Sequence, residues 1–182
     1  ARSGSSWSQQ AKLTASDKAA NDSFGDSVSI SGGWVIVGAS FADPGGFTSA
    51  GSAYIFAMSG SSWPQQAILT ASDKAAGDTF GKSVAISSTG YAIVGATGAT
   101  VNNVSGAGAA YIFARSGSSW PEQEKLISPN IGSGDYFGTS VSIDGDRVVA
   151  SAPRETVNSV RGGAAHVFKK ATNGSTWSNL TG

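Results

Sequence analysis

The sequence predicts an all-β fold made of consecutive four-stranded antiparallel sheets, and three observations predict it. A unit of about 57 residues recurs through the chain. Each unit carries short apolar runs in one fixed order, and no stretch sustains a 3.6-residue apolar period. Glycine, at 25 of 182 residues, supplies the positive φ angles that tight hairpins require.

The repeat is visible in its markers. Trp7, Trp63, Trp120 and Trp177 are spaced 56, 57 and 57 residues apart. Phe24-Gly25, Phe80-Gly81 and Phe137-Gly138 follow at spacings of 56 and 57. After each pair runs Ser-Val-x-Ile, beginning at Ser27, Ser83 and Ser140. Then Val35–Ser40 matches Ala92–Thr97 and Val148–Pro153, and Ala53–Phe56 matches Ala110–Phe113 and Ala165–Phe168.

Each unit reads as four strands, A to D. Strand A (27–31) alternates, with Val28 and Ile30 on one face. Strand B (34–39) is apolar on both faces, as a strand covered on each side should be. Strand C (52–58) is expected to set Tyr54 and Phe56 on opposite faces. Strand D (63–70) is the most polar, with Trp63, Gln65, Ala67 and Leu69 on one side. Polarity rising from B to D is the gradient of a sheet running from a crowded axis to a wet rim.

A four-stranded sheet with two apolar faces needs a similar sheet on each side, so radial stacking into β-propeller blades is the physical solution. The chain reads as one segment over 1–182. It contains an outer strand of a preceding blade at 7–14, then repeats at about 15–70, 71–127 and 128–182. Propellers close with about 4–8 blades, so three are incomplete. Completion could come from a longer polypeptide, from two copies closing a six-bladed ring, or from copies joined head to tail. The start at Ala1-Arg2-Ser3-Gly4, without an initiator Met or a signal peptide, fits a processed or excised chain.

The Phe24-Gly25 pair followed by Gly38-Ala39-Ser40 resembles the FG-GAP repeat of integrin α-subunit propellers and their bacterial and algal relatives. The third copy keeps Pro153 but has Ser151 in place of the glycine. The resemblance spans essentially the whole chain and implies propeller blades in an extracellular or cell-surface protein used for adhesion or recognition. It also implies calcium loops between strands A and B, and here this sequence departs from it. Those connections are Ser31-Gly32-Gly33, Ser87-Ser88-Thr89-Gly90 and Asp144-Gly145-Asp146. Two hold no carboxylate and the third holds two, whereas calcium takes six to eight oxygen ligands. No metal or other cofactor is expected.

Composition excludes further classes. Twelve basic and twelve acidic residues leave no net charge to recruit nucleic acid or an anionic membrane. The absence of cysteine removes disulfides, thiolate zinc sites and thiol catalysis. No apolar run approaches the ~20 residues of a membrane span. No catalytic set is read. His166, the only histidine, occupies the column of Tyr54 and Tyr111, a packing position. Asp22, Asp78 and Asp135 recur before each Phe-Gly and are expected to accept hydrogen bonds from turn amides. The four tryptophans are read as covers for blade edges.

Function in such a scaffold belongs to loops that differ between copies. The B–C loops differ most, and they supply the partner-binding candidates: Phe41, Asp43 and Phe47, then Asn102 and Asn103, then Arg154, Glu155 and Arg161. Asn21, Asn103, Asn173 and Asn179 lie in Asn-x-Ser/Thr sequons and are candidate glycosylation sites. The sequence reads as a non-enzymatic structural or adhesion module, self-associating or part of a larger propeller. A glycan-binding propeller and an accessory propeller of a larger enzyme are the alternatives. A protein or a glycan is the ligand class.

Overall fold

A computed structural model describes residues 2–3, 6–172, 174 and 176–179. The first blade consists of β3 (Phe24–Ser31), β4 (Trp34–Ala39), β5 (Ser52–Ala57) and β6 (Gln65–Leu69), preceded by a small hairpin of β1 (Arg2–Ser3) and β2 (Ser6–Trp7). The second is β7 (Phe80–Ile86), β8 (Tyr91–Ala96), β9 (Ala109–Ala114) and β10 (Glu122–Leu126). The third is β11 (Val141–Asp144), β12 (Arg147–Ala152), β13 (Ala164–Lys170) and β14 (Trp177–Asn179). Every neighbouring pair within a blade is antiparallel, and the strands lie side by side in chain order.

Alternation along each strand gives a blade two faces. One, here called leading, points toward the preceding repeat, and the trailing face points toward the next. In the second blade Val84, Ile86, Tyr111 and Phe113 lead, and they pack against Ile36, Ala53 and Ile55 on the trailing face of the first. Val148, Ala150 and Phe168 of the third blade meet Ile93, Ala110 and Ile112 of the second in the same way. Tyr54 and Phe56 share the leading face, contrary to the opposite faces assigned from sequence. Both rings stand edge-on to Phe24, at 5.4 and 6.2 Å, because residues two apart in a strand point the same way.

Strand A also begins earlier than its apolar alternation indicates, taking in Phe24 or Phe80 through an irregular register before Ser27 or Ser83. The expected outer strand at 7–14 is paired only at Ser6–Trp7, and residues 8–15 form no ladder. A strand D needs a strand C beside it, and no described residue supplies one there. The segment instead lies on the first blade, where Ala15 is buried and Ser16 exchanges two hydrogen bonds with the Gln65 amide.

The blades are joined by a backbone contact. Gly81 and Gly138 sit at φ +91° and +86°, which turns each carbonyl toward the preceding blade. Ser27 Oγ donates to the Gly81 carbonyl at 2.7 Å, and Ser83 Oγ to the Gly138 carbonyl at 2.7 Å. Those carbonyls rest on Gly38 and Gly95, where an added Cβ would lie 2.0 Å from the oxygen. Glycine is therefore required by space at these two positions. Gly38→Ala should destabilise the fold by about 1–3 kcal/mol through overpacking. Gly33→Ala, whose Cβ would meet only Met58 at 3.6 Å, should stay within about 0.5 kcal/mol. Urea denaturation of the two variants checks the difference.

Candidate functional site

Variable loops and blade-to-blade connections gather at one end of the stack, held by backbone hydrogen bonds. The first B–C loop accepts from the incoming connection through Gly77 N–H to Thr48 (2.9 Å) and Thr79 N–H to Ser49 (3.1 Å). The second does so through Gly134 N–H to Ser105 (3.2 Å) and Tyr136 N–H to Gly106 (3.0 Å). Each B–C loop is thus locked to the segment that feeds the following blade.

The loop candidates divide into surface groups and structural ones. Phe41 and Phe47 are 47% and 45% exposed, and Lys74 Nζ stands 5.9 Å from the Phe47 ring. Asp43 is exposed, but one oxygen accepts from Ser49 N–H at 2.7 Å and ties the loop together. Asn102 and Asn103 form the tip of a tight turn between Val101 and Val104, at φ +51° and +65°. Both are exposed, and asparagine suits that backbone. Arg154 lies over the Tyr136 ring at 4.9 Å. Arg161 donates to the carbonyls of Arg154 (3.1 Å) and Gly134 (3.0 Å), clamping the third loop to its neighbour.

Glu155 corrects the sequence reading. It is 1% exposed, not a surface contact. Its carboxylate accepts from Ser128 Oγ (2.8 Å) and Asn130 Nδ2 (3.1 Å) and pairs with His166 Nε2 (2.7 Å). The third blade thereby rebuilds, with different residues, a cluster found in the second. There Tyr111 donates its hydroxyl to Asp73 (2.8 Å), and Lys125 bonds the same carboxylate at 2.7 Å. Burial, and then the Asp73 carboxylate, push the Tyr111 phenol far up. Burial likewise leads the rise at Tyr54, with the nearby Asp17 carboxylate adding to it. His166 therefore holds a packing column, and sequence alone could not show that Glu155 is its partner. In this cluster serine donates to the carboxylate rather than to the imidazole, so the imidazole is not placed to take the serine proton.

The repeated aspartates behave as turn acceptors in two copies. Asp22 accepts from Ala19 N–H at 2.6 Å and Asp78 from Ala75 N–H at 2.7 Å. Burial raises Asp78 above the ordinary carboxylate value despite that bond. Asp135 departs from the pattern, since its Oδ2 is buried with no partner among the described residues. Asp26, which sequence reasoning passed over, accepts from Ser40 Oγ and pairs with Lys82 of the next blade at 3.2 Å. The Ser40 bond first, and Lys82 after it, hold Asp26 low.

Among the described residues no three His, Asp or Glu side chains converge to hold a metal ion. In the Asp144-Gly145-Asp146 turn, Asp146 is engaged by Arg147 at 2.9 Å and Lys169 at 3.9 Å. Trp120 and Trp177 are buried blade-edge covers at 6% exposure each, Trp63 is half-buried, and Trp7 is 80% exposed. Of the sequons, Asn21 and Asn103 are exposed and Asn179 is half-buried in β14, whereas Asn173 lies outside the described residues. No described helix is long and apolar enough to cross a membrane.

The buried carboxylate gives a pH signature. Burial raises Glu155, but the bonds from His166, Ser128 and Asn130 outweigh it and leave the group below its ordinary 4.5. A carboxyl depressed in the folded state binds fewer protons there than when unfolded. Its stabilisation is complete above the ordinary value and is lost as pH falls through the depressed one. Glu155→Gln should cost about 1–3 kcal/mol near neutrality and flatten the acid limb of stability below pH 4.5. Urea midpoints measured from pH 7 to pH 3 check both.

No curated protein matches the chain. The sequence model of the FG-GAP repeat matches it three times, at residues 7–56, 63–113 and 120–168. Each match ends within a blade's third strand, and the second and third begin at the tryptophan before the preceding blade's fourth strand, so the repeated sequence is offset by one strand from the repeated sheet. The chain belongs to the FG-GAP repeat family.

Proposed function

We propose that this chain is a non-catalytic structural or adhesion module working outside the cell. A further repeat completes its leading face, and its B–C loops are presented to a partner. The observation that carries this reading is a comparison within the chain. Val84 and Ile86 are 8% and 4% exposed where the first blade covers them, while their equivalents Val28 and Ile30 are 67% and 66% exposed. Covering such side chains stabilises by about 1.5–3 kcal/mol each. The hairpin of β1 and β2 supports the same reading. Residues 1–7 repeat residues 114–120 letter for letter, and in the second blade those residues turn strand C into strand D. Family membership and the exposed sequons Asn21 and Asn103 support the extracellular setting.

A second reading, glycan binding, is favoured by a pocket beside the first B–C loop. It is lined by Asp17, Asp22, Asp43 and Tyr54, and Phe47 stands in the same loop as Asp43. On a glycan array the first reading gives no sugar-dependent signal. A signal lost in Asp43→Ala and Phe47→Ser would replace it with the second.

The leading-face reading is tested by adding a blade. Residues 71–113 placed directly ahead of Ala1 supply strands A to C and let the chain's own Ala1–Trp7 continue them. The urea midpoint should rise, and amide exchange across β3 should slow by about tenfold or more as its apolar side chains are covered. Unchanged exchange in β3 would mean that the face does not take a repeat.

A further inference from the structure

The two ends of the stack are not complementary, and the internal junctions show why they should have been. At each junction the residue opening strand B of one blade plugs into the next. Trp34 stands edge-on to Trp120 at 5.4 Å, with the Arg115 guanidinium over its ring at 4.8 Å. Tyr91 repeats this with Trp177 at 5.9 Å and Lys170 at 4.6 Å. The matching socket on the first blade is empty. It is an open apolar groove of about 550 Å³ lined by Leu13, Ile30, Val35, Met58 and Trp63, with Met58 where the other sockets carry a cation.

The third blade carries no plug. The position of Trp34 and Tyr91 is Arg147, which is exposed and held by Asp146. The position of Gly38 and Gly95 is Ser151, whose Cβ occupies space that elsewhere lies 2.0 Å from the incoming glycine carbonyl. Its Oγ accepts from Ser140 N–H at 3.0 Å, which fixes the hydroxyl on the docking surface. Beside Arg147 in the ladder is Lys169, in the column that holds Ala57 and Ala114. Ile36 and Ile93, each fully buried, give way to Val149 at 38% exposure. Four changes on one face all run toward charge, polarity or smaller apolar area, which is the pattern of a terminal repeat with a solvated outer face.

We infer that the third blade is a built end-cap, and that the groove on the first blade takes the strand-B aromatic of a preceding FG-GAP repeat rather than the trailing face of a second copy. This rests on the leading-face reading above and adds which repeat the face accepts. Stacking is then one-directional, and this chain closes no ring and builds no filament by itself.

Two fusions of the intact chain test it. Residues 71–113 ahead of Ala1 carry Tyr91 and Gly95, whereas residues 128–168 ahead of Ala1 carry Arg147 and Ser151. The first should slow exchange across β3 by about tenfold or more, and the second should leave it unchanged. Substituting Arg147→Tyr and Ser151→Gly within the added 128–168 copy, where Ala1 already stands in the place of Lys169, should restore protection. Equal protection by the two original fusions would overturn the end-cap while leaving the leading-face reading intact. Protection by neither would remove that reading itself. Failure of the substituted copy, where 71–113 succeeds, would show that these residues are not the stop. As a second measurement, Arg147→Tyr, Ser151→Gly and Lys169→Ala together in the unfused chain should produce concentration-dependent assembly in sedimentation velocity that Ile30→Asp abolishes. Assembly of the unsubstituted chain, abolished equally by Ile30→Asp, would overturn the inference.

Discussion

The stack depends on how closely two backbones approach at the blade junction. A left-handed glycine turns its carbonyl into the preceding sheet, a serine hydroxyl on that sheet donates to it, and a second glycine leaves room for the oxygen. Once that contact is made, the phenylalanine before the left-handed glycine is carried into the sheet. There Phe80 and Phe137 are fully buried against the aromatics of strand C. The two halves of the family's signature are therefore the two sides of one interface, contributed by successive blades. A blade's Phe-Gly is completed by its predecessor's glycine and serine. This is why the motif has meaning only in an array.

The same junction fixes the loop end. Each B–C loop bonds to the segment entering the next blade, so sequence variation there is displayed on a rigid frame. Beneath the loops, each blade solves the problem of a polar strand-C tip with its own partners. Tyr54 shares a pocket with Asp17, Tyr111 bonds Asp73 supported by Lys125, and His166 bonds Glu155 supported by Ser128 and Asn130. The carboxylate comes from the D–A segment in two blades and from the B–C loop in the third. A buried polar group needs a partner, but the chain position supplying it is free to move.

That freedom marks the limit of what the sequence made legible. The repeat, the four strands per unit, the strand-B core and the placing of loops at variable positions all follow from spacing and alternation, which local residues determine. Glu155 looked like a surface loop residue because its partners lie 11 and more residues away along the chain. The buried status of Trp120 against the exposure of Trp7 was equally hidden. The four tryptophans share one column, and what separates them is whether a blade of their own and a facing blade stand beside them. Placing Tyr54 and Phe56 on opposite faces contradicted strand period itself and needed no structure to correct.

A strand's alternation also explains how a repeat can change one end of an array without disturbing its interior. In β12, Val148, Ala150 and Ala152 point toward the second blade and stay buried, at 1%, 0% and 0% exposure. The residues between them, Arg147, Val149 and Ser151, occupy the other face and have diverged from Trp34, Ile36 and Gly38. The two sets interleave one by one, yet they answer to different constraints. The first must match an existing trailing face, and the second must match only whatever lies beyond. At the opposite end the first blade has kept apolar leading-face residues, including Val28, Ile30, Val35 and the Phe24-Gly25 pair, with Val28 and Ile30 open to solvent. A polypeptide whose faces were both free would lose apolar side chains from both. Loss at one face and retention at the other is the asymmetry that the proposed end-cap accounts for.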